Sequence, residues 1–477
     1  MAEIIFPTST APGINQGESG GRLINSQVEF APAGSRSQHI WRAVPGLRSA
    51  TSLGAADHRG ALKFGSTLIV INDDEGYSVT KAAGVYTPTA LTGDAVPGDG
   101  RVIMARNMRA TPQIIVVTDN GQVKIESGAI ATFTDADLPA PNSVCFKDGY
   151  FFWGIGDGRC FASGINDVTV SSLDWTRAES SPDGLVRVFS FANGIGLGGE
   201  NSTELFANTG NPTGFPFTRA AALPYGLFGL HSVTGFEEGF TGDVLLVAND
   251  GSVRLLVGLG TQRVSQPDLE AKINAITDRN SLVASCYVSG GQPVYVLSCE
   301  EWTWEFSPPS PTAPAHWRER RSIGQTRWRS GITVNAFDEW LALDETGDLI
   351  LKLDATYRRE NASQLVWEMR STQAHRFPAR AVVNRASFDI KTGVGIDTGA
   401  DQIETDPTVE ISWSDDGGIT FGNPLFRKLG TQGESRKIDI NRAGLTKEQG
   451  RQWKLRIADP VTVALYGGAM DVEERAA

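Results

Sequence analysis

Residues 114–125 read Ile-Ile-Val-Val-Thr-Asp-Asn-Gly-Gln-Val-Lys-Ile: an apolar run, a polar turn, then a second run in which apolar and polar side chains alternate. Asn-Gly between two such runs is the strongest short-range hairpin signal. Both central residues of a type I′ turn need positive φ, which Asn, Asp and Gly tolerate best. The pattern recurs along the chain. Leu68-Ile69-Val70-Ile71 runs through Asn72-Asp73-Asp74-Glu75-Gly76 into Tyr77-Ser78-Val79. Val144-Cys145-Phe146 turns at Lys147-Asp148-Gly149 into Tyr150-Phe151-Phe152-Trp153, and Val244-Leu245-Leu246-Val247 turns at Asn249-Asp250-Gly251. Weaker versions stand at Asn193-Gly194, Gly290-Gly291 and Glu345-Thr346-Gly347-Asp348. Their mean spacing of about 45 residues is the length of one four-stranded propeller blade.

A single blade cannot cover both of its faces, so several must close into a ring, which also removes free sheet edges. The hairpins predict an all-β chain whose main body is a β-propeller of about seven blades, with six fitting the irregular spacing as well. Closure requires one blade to take strands from both ends of the ring. Residues 40–46, Ile-Trp-Arg-Ala-Val-Pro-Gly, are the candidate for the N-terminal contribution. Ser265-Gln266-Pro267-Asp268-Leu269-Glu270, followed by Ile273 and Ile276, has the capping residue, early Pro and helical spacing of a short helix inserted between blades. Residues 354–380 lose the hairpin rhythm, and from 386 to 465 a second series of alternating strands predicts a C-terminal β-sandwich. The expected division is an extended N-terminal arm over 1–38, the propeller over 39–356, a linker over 357–379 and the sandwich over 380–472.

Composition agrees with this reading. Of 477 residues, 53 are Gly and 23 are Pro, an excess suited to many tight turns. No apolar run reaches the length of a membrane helix, and the start lacks the basic and apolar regions of a secretory signal, so neither membrane nor export is expected. The formal charge of −12 argues against a sequence-independent grip on nucleic-acid phosphates, and no motif for sequence-specific DNA binding is present. Residues 1–315 carry 20 basic and 31 acidic groups, whereas 316–456 carry 22 and 20, so arginine is concentrated late in the chain. Cys145, Cys160, Cys286 and Cys299 form no C-x-x-C pair and the five histidines are scattered, so the expectation is buried reduced thiols, with no metal and no cofactor.

The search for chemistry yields turns and one basic cluster. Ser414-Asp415-Asp416-Gly417-Gly418-Ile419-Thr420-Phe421 fits the S-x-D-x-G-x-T-aromatic Asp-box, known from sialidases and from many other β proteins. A sialidase-like glycosidase or a carbohydrate-binding propeller is therefore the alternative reading. Such enzymes repeat the box between blades, and here it occurs once, inside the expected sandwich, where a structural hairpin accounts for it. No nucleophile elbow accompanies the histidines, so no catalytic residue is assigned. The glycines of residues 194–199 lack the Lys-Ser/Thr and helix of a phosphate loop and read as a blade turn. Acid pairs such as Asp73-Asp74 and Glu237-Glu238 lie in turns, where solvation or capping competes with a Ca²⁺ site. The basic cluster comprises Trp317, Arg318, Arg320, Arg321, Arg327, Trp328 and Arg329. Arg and Trp are the commonest interface anchors, so these seven are the candidate partner-contact residues, with DNA stacking and a solvated face as the other readings.

Residues 174–210 resemble the packaged-DNA stabilisation proteins of short-tailed phages, also called tail accessory or tail-hub proteins. The resemblance rests on an Ala-Glu-Ser-x-Pro-Asp-Gly box over 178–184, with Glu204-Leu205-Phe206 before Thr209-Gly210. Val264-Ser265-Gln266-Pro267-Asp268-Leu269-Glu270 is a second match, and Trp453-Lys454-Leu455-Arg456-Ile457 with Pro460-Val461-Thr462 is a third. The three are collinear over about 170–465. The family implies a structural virion protein of the phage tail, assembled in the host cytoplasm as a homohexameric ring below the portal and adaptor. That ring helps to retain packaged DNA and attaches the tail needle and the tailspike or fibre proteins. The family has no catalytic residues to carry over. The first 40 residues match least, so contacts to the adaptor are not transferred.

Overall fold

A strand that is apolar on both faces needs a neighbour on each side, and Leu68-Ile69-Val70-Ile71 shows how the chain meets that demand. In the computed structural model Leu68 and Val70 point into one core and Ile69 and Ile71 into the next. The described residues are 2–475 apart from 16, 56, 182, 212–213, 376 and 397–400. Among them, seven antiparallel sheets form a ring. Blades one to six span 58–90, 103–132, 143–177, 185–223, 233–263 and 283–319. Blade seven takes Ser330–Ala336, Glu339–Asp344 and Leu349–Asp354, and is completed by Gly46–Ser52 from the N-terminal side. Seven apolar clusters, one between each pair of adjacent blades, fill the ring.

The closing strand differs from the expected 40–46. His39–Ala43 instead pairs with Ser26–Phe30 and Ala464–Arg475 in the sandwich, where Trp41 is buried. Gly46–Ser52 pairs with Leu349–Asp354 on one side and, only at Leu47, with the short strand Arg359–Glu360 on the other. Beyond Leu47 it largely faces solvent, so its sequence, Gly-Leu-Arg-Ser-Ala-Thr-Ser, is mostly polar. Gly46 is required by contact: a Cβ there would lie 2.3 Å from the Tyr357 carbonyl oxygen as the chain returns from blade seven.

The turns behave as their chemistry requires. Asp148 and Gly149 have φ of 49° and 93°, and Gly290 and Gly291 have 57° and 78°. One hairpin escaped the sequence pattern, since Phe337 and Asp338 both take φ of 58° and the Phe337 ring meets Tyr86 of blade one edge-on at 5.7 Å. Gly194–Gly199 is a buried strand of blade four, not a turn. A Cβ on Gly196 would sit 2.3 Å from the Phe189 ring, so the glycines make room for large side chains opposite. The predicted helix is present as Pro267–Asn274, with Leu269 and Ile273 buried between blades five and six.

The remaining strands build the sandwich. One sheet runs Ser26–Phe30, His39–Ala43, Ala464–Arg475, Arg380–Ile390, Ile438–Leu445, with Ala2–Glu3 paired to Ala464–Arg475. The other runs Arg22–Ile24, Trp367–Arg370, Gln452–Ile457, Thr408–Ser414, Leu425–Lys428. Ile4, Phe6, Leu23, Val28, Trp367 and Met369 all enter the core between them. Residues 1–38 are therefore not a free arm, and 357–379 are not a bare linker: both supply strands to the sandwich because they carry its apolar side chains.

Leu47 is fully buried in the core between blades six and seven, on the strand that closes the ring. Leu47→Ala is expected to cost about 2–5 kcal/mol. The check is the urea unfolding midpoint followed by tryptophan fluorescence, where an unchanged midpoint would show that closure does not depend on this strand.

Candidate functional site

The outer strand of a propeller blade normally faces solvent, yet all four residues of His316–Glu319 on blade six are buried. The reason is a β-joint. Ile24 pairs in parallel with Glu319, and Arg22–Ile24 pairs on its other side with Trp367–Arg370. Blade six and one sandwich sheet thus form a single nine-stranded sheet. Ser9, Thr10 and residues 22–25 lace the same edge. The Thr10 N–H donates to the Trp317 carbonyl at 2.8 Å and the Trp317 N–H to Ser9 Oγ at 3.0 Å. Asn25, at φ 51°, uses its whole amide: Nδ2 donates to the Arg321 and Val366 carbonyls at 2.8 Å each, and Oδ1 accepts from the Arg321 N–H at 3.0 Å.

Glu319 is the charge at the centre of this joint. Its carboxylate accepts from Arg22 Nε at 2.7 Å, Arg321 Nη2 at 2.6 Å and Thr10 Oγ1 at 3.1 Å. Burial opposes ionisation, but Arg22 first, and then Arg321 and Thr10, outweigh it and hold the group down at about 2. A buried carboxylate satisfied by several donors is stable as a unit and costly to break.

The candidate partner-contact residues prove to be largely internal. Trp317 packs toward blade five and donates from Nε1 to the Val264 carbonyl at 2.8 Å. Arg318 faces the opposite way and donates to Glu305 at 2.6 Å and to Ser307 and His316 at 3.0 Å. Burial first, and then the Arg318 charge, pull His316 down to about 4. Arg320 lies 4.8 Å over the Trp328 ring and donates to the Pro45 carbonyl at 2.8 Å and to Glu360 at 3.3 Å. Trp317, Arg318, Arg320 and Trp328 are thus unavailable to a partner, because distant carboxylates and rings already enclose them. Arg321, Arg327 and Arg329 stay partly exposed while pairing with Glu319, Glu345 and Asp344. Sequence reasoning missed Glu305 and Glu360 as partners, since nothing local marks them, and also missed Glu319, which stands inside the cluster two residues before Arg321.

The Asp-box is spent on its own turn. Asp416 Oδ1 accepts from the Thr420 N–H at 2.9 Å, the Ile419 N–H at 3.1 Å and Ser414 Oγ at 2.6 Å. Gly417 and Gly418 take φ of 80° and 85°. Desolvation opposes the charge, but bonds from Ser414 and Thr420 hold Asp416 at about 2. The neighbouring Asp415 accepts two bonds of 2.8 Å from buried Arg451. In the box over 178–184, Ser180 N–H donates to Glu204 at 2.5 Å and Asp183 accepts from the Asn201 N–H at 2.5 Å, while Pro182 lies outside the described residues. The four cysteines are buried and unpaired, and burial pushes the thiols of Cys145, Cys160, Cys286 and Cys299 up.

Two family models match the chain, one described as bacteriophage P22 Gp10, β-propeller, over residues 23–358, and one as bacteriophage P22 Gp10, β-sandwich, over residues 366–473. Among solved structures, the chain is similar to the WD40 β-propeller domain of Doa1, at TM-score 0.41 and 11% identity over 64% of this chain and 97% of that one. It is also similar to the computationally designed Ika8 protein, at TM-score 0.39 and 12% identity over 70% of this chain and 100% of that one. No curated protein sequence matches it.

The Glu319 carboxylate falls from an ordinary 4.5 to about 2 on folding, so its contribution is complete above about pH 4.5 and is lost as pH drops toward 2. Glu319→Gln, which leaves Arg22 and Arg321 without their shared counter-charge, is expected to cost about 3 kcal/mol at neutral pH. Thermal unfolding from pH 7 to pH 3 should show a smaller acid-induced drop in the variant than in the parent, and parallel curves would refute the role given to this group.

Proposed function

The chain belongs to the bacteriophage P22 Gp10 family of phage structural proteins, and from that premise we propose that it is the hub of a short tail. As a virion structural protein it assembles with other virion proteins. In the proposed role it forms a hexameric ring below the portal and adaptor, helps to retain packaged DNA, and carries the tail needle and the spikes or fibres. Its assembly takes place in the host cytoplasm.

The observation that supports this reading is the nine-stranded sheet running from blade six into the sandwich. A hub has to pass load between the components it joins. Two domains linked by a flexible tether would yield at the tether, whereas a shared sheet with a buried ionic knot moves as one body. The glycosidase reading draws no comparable support, because the carboxylates of the single Asp-box are occupied by their own turn and by Arg451.

The surface offers places for contact that the arginine count did not indicate. Leu173 is 79% exposed and Trp175 41% exposed on Val170–Arg177, the outer strand of blade three. Leu425 and Phe426 are exposed on Leu425–Lys428, an edge strand of the sandwich. Exposed apolar side chains on sheet edges are characteristic of surfaces that become covered on assembly. Of the basic cluster, Arg321 and Arg327 are the members proposed to reach a partner.

Negative-stain imaging of the protein mixed with portal and adaptor is expected to show rings stacked beneath the adaptor, and a protein that stays monomeric and unbound in that mixture would overturn the proposal. Leu173→Glu combined with Trp175→Glu should reduce incorporation into those particles while leaving the unfolding temperature of the isolated chain unchanged. Incorporation at the parental level would remove blade three from the contact surface.

A further inference from the structure

The inner strands of the seven blades surround an axial channel with a cavity of about 460 Å³. Although the chain as a whole is acidic, five basic side chains and two acidic ones line this cavity. Four of the bases are already engaged. Arg59 donates to the backbone carbonyls of Asp73, Pro97 and Gly100 at 2.8 Å. Arg106 and Lys63 share Glu238 at 2.7 and 3.7 Å, and Arg101 pairs with Glu345 at one mouth.

Arg187 is different. It stands on Leu185–Phe191, the inner strand of blade four, and is 9% exposed. Its Nη1 donates to the Leu230 carbonyl at 2.9 Å and its guanidinium lies 5.3 Å from the Phe236 ring centre. Its buried Nε–H has no partner, and no carboxylate among the described residues comes within ion-pair distance of it. Glu237, the acid whose field it feels, is committed elsewhere: it accepts from Thr234 Oγ1 and the Gly235 N–H at 2.6 Å and from the Cys286 thiol at 3.1 Å. His231 lines the same cavity. Burial, with Arg187 and Arg101 nearby, lowers it to about 3, so at neutral pH the uncharged ring has one donor and one acceptor to offer.

A buried guanidinium with a free donor and no counter-charge is costly unless an anion completes it, and planar oxyanions match its donor geometry. The volume lies within the range of small-molecule sites. We propose that the propeller channel is a binding site for a small oxyanion, a phosphate or carboxylate group, held by Arg187 with Arg101 and His231 beside it. The site is independent of the tail-hub reading, and neither stands or falls with the other.

The test is isothermal titration calorimetry on the full chain, with inorganic phosphate and with citrate as separate probes in a chloride buffer. One saturable site per chain for either probe is expected, and the probe that binds identifies the phosphate or the carboxylate class. Arg187→Gln should weaken binding at least about tenfold, the loss of a charge-assisted contact, with the circular dichroism spectrum retained. If that variant does not fold, His231→Ala decides: weaker binding supports the site and unchanged affinity overturns it. Absence of saturable binding of both probes through the millimolar range, or equal affinity in a folded Arg187→Gln, also overturns it.

Discussion

The second strand of each blade is packed on both faces, and the rest of the architecture follows from the need to cover both. Apolar side chains fill both faces in six blades, whereas in blade four Ile195 and Leu197 fill one face and glycines lie under Phe189 and Leu227 on the other. Leu68 and Val70 turn one way and Ile69 and Ile71 the other, and the same division places Cys145 and Phe152 in one core and Val144, Phe151 and Trp153 in another. Every such strand demands two neighbours, so a linear stack always leaves two uncovered faces. Closing the stack leaves none. Seven inter-blade cores for seven blades is the arithmetic of a closed ring, and the hydrophobic term that favours burial acts on closure itself rather than on any one blade.

The parts of the fold legible in sequence are those in which local chemistry and tertiary role coincide. Asp-Gly and Gly-Gly turns sit where backbone φ must be positive, and the helix at 267–274 carries its Pro and its apolar spacing on its surface. The closing strand was not legible, because a strand that faces solvent over most of its length needs little apolarity and Arg48, Ser49, Thr51 and Ser52 supply almost none. Leu23 and Val28 belong to short strands flanked by polar residues, and only the sandwich core shows why they are apolar.

The basic cluster misled for a related reason. A row of arginines suggests an exposed surface because the balancing carboxylates are out of sight along the chain. Arg318 finds Glu305 on the adjacent strand, and Arg320 finds Glu360 beyond the end of blade seven. Burial of a cation is affordable only with its partner in place, so these arginines record the position of the neighbouring elements. The Asp-box was easier to read, since its donors and acceptors lie within five residues of one another.

The pairing of Ser49 with Leu351 joins residues 302 positions apart. At ribosomal rates of about 5–20 residues per second, the first of these waits roughly 15–60 s for the second to be made. Throughout that interval blade one has no seventh blade to lean on, and its apolar flank is bare in a crowded cell, a state prone to aggregation. A chain cut short by premature termination would stay gaping indefinitely. Late closure therefore acts as an inspection step, because only a polypeptide translated past residue 354 can latch and present a closed ring to the growing particle.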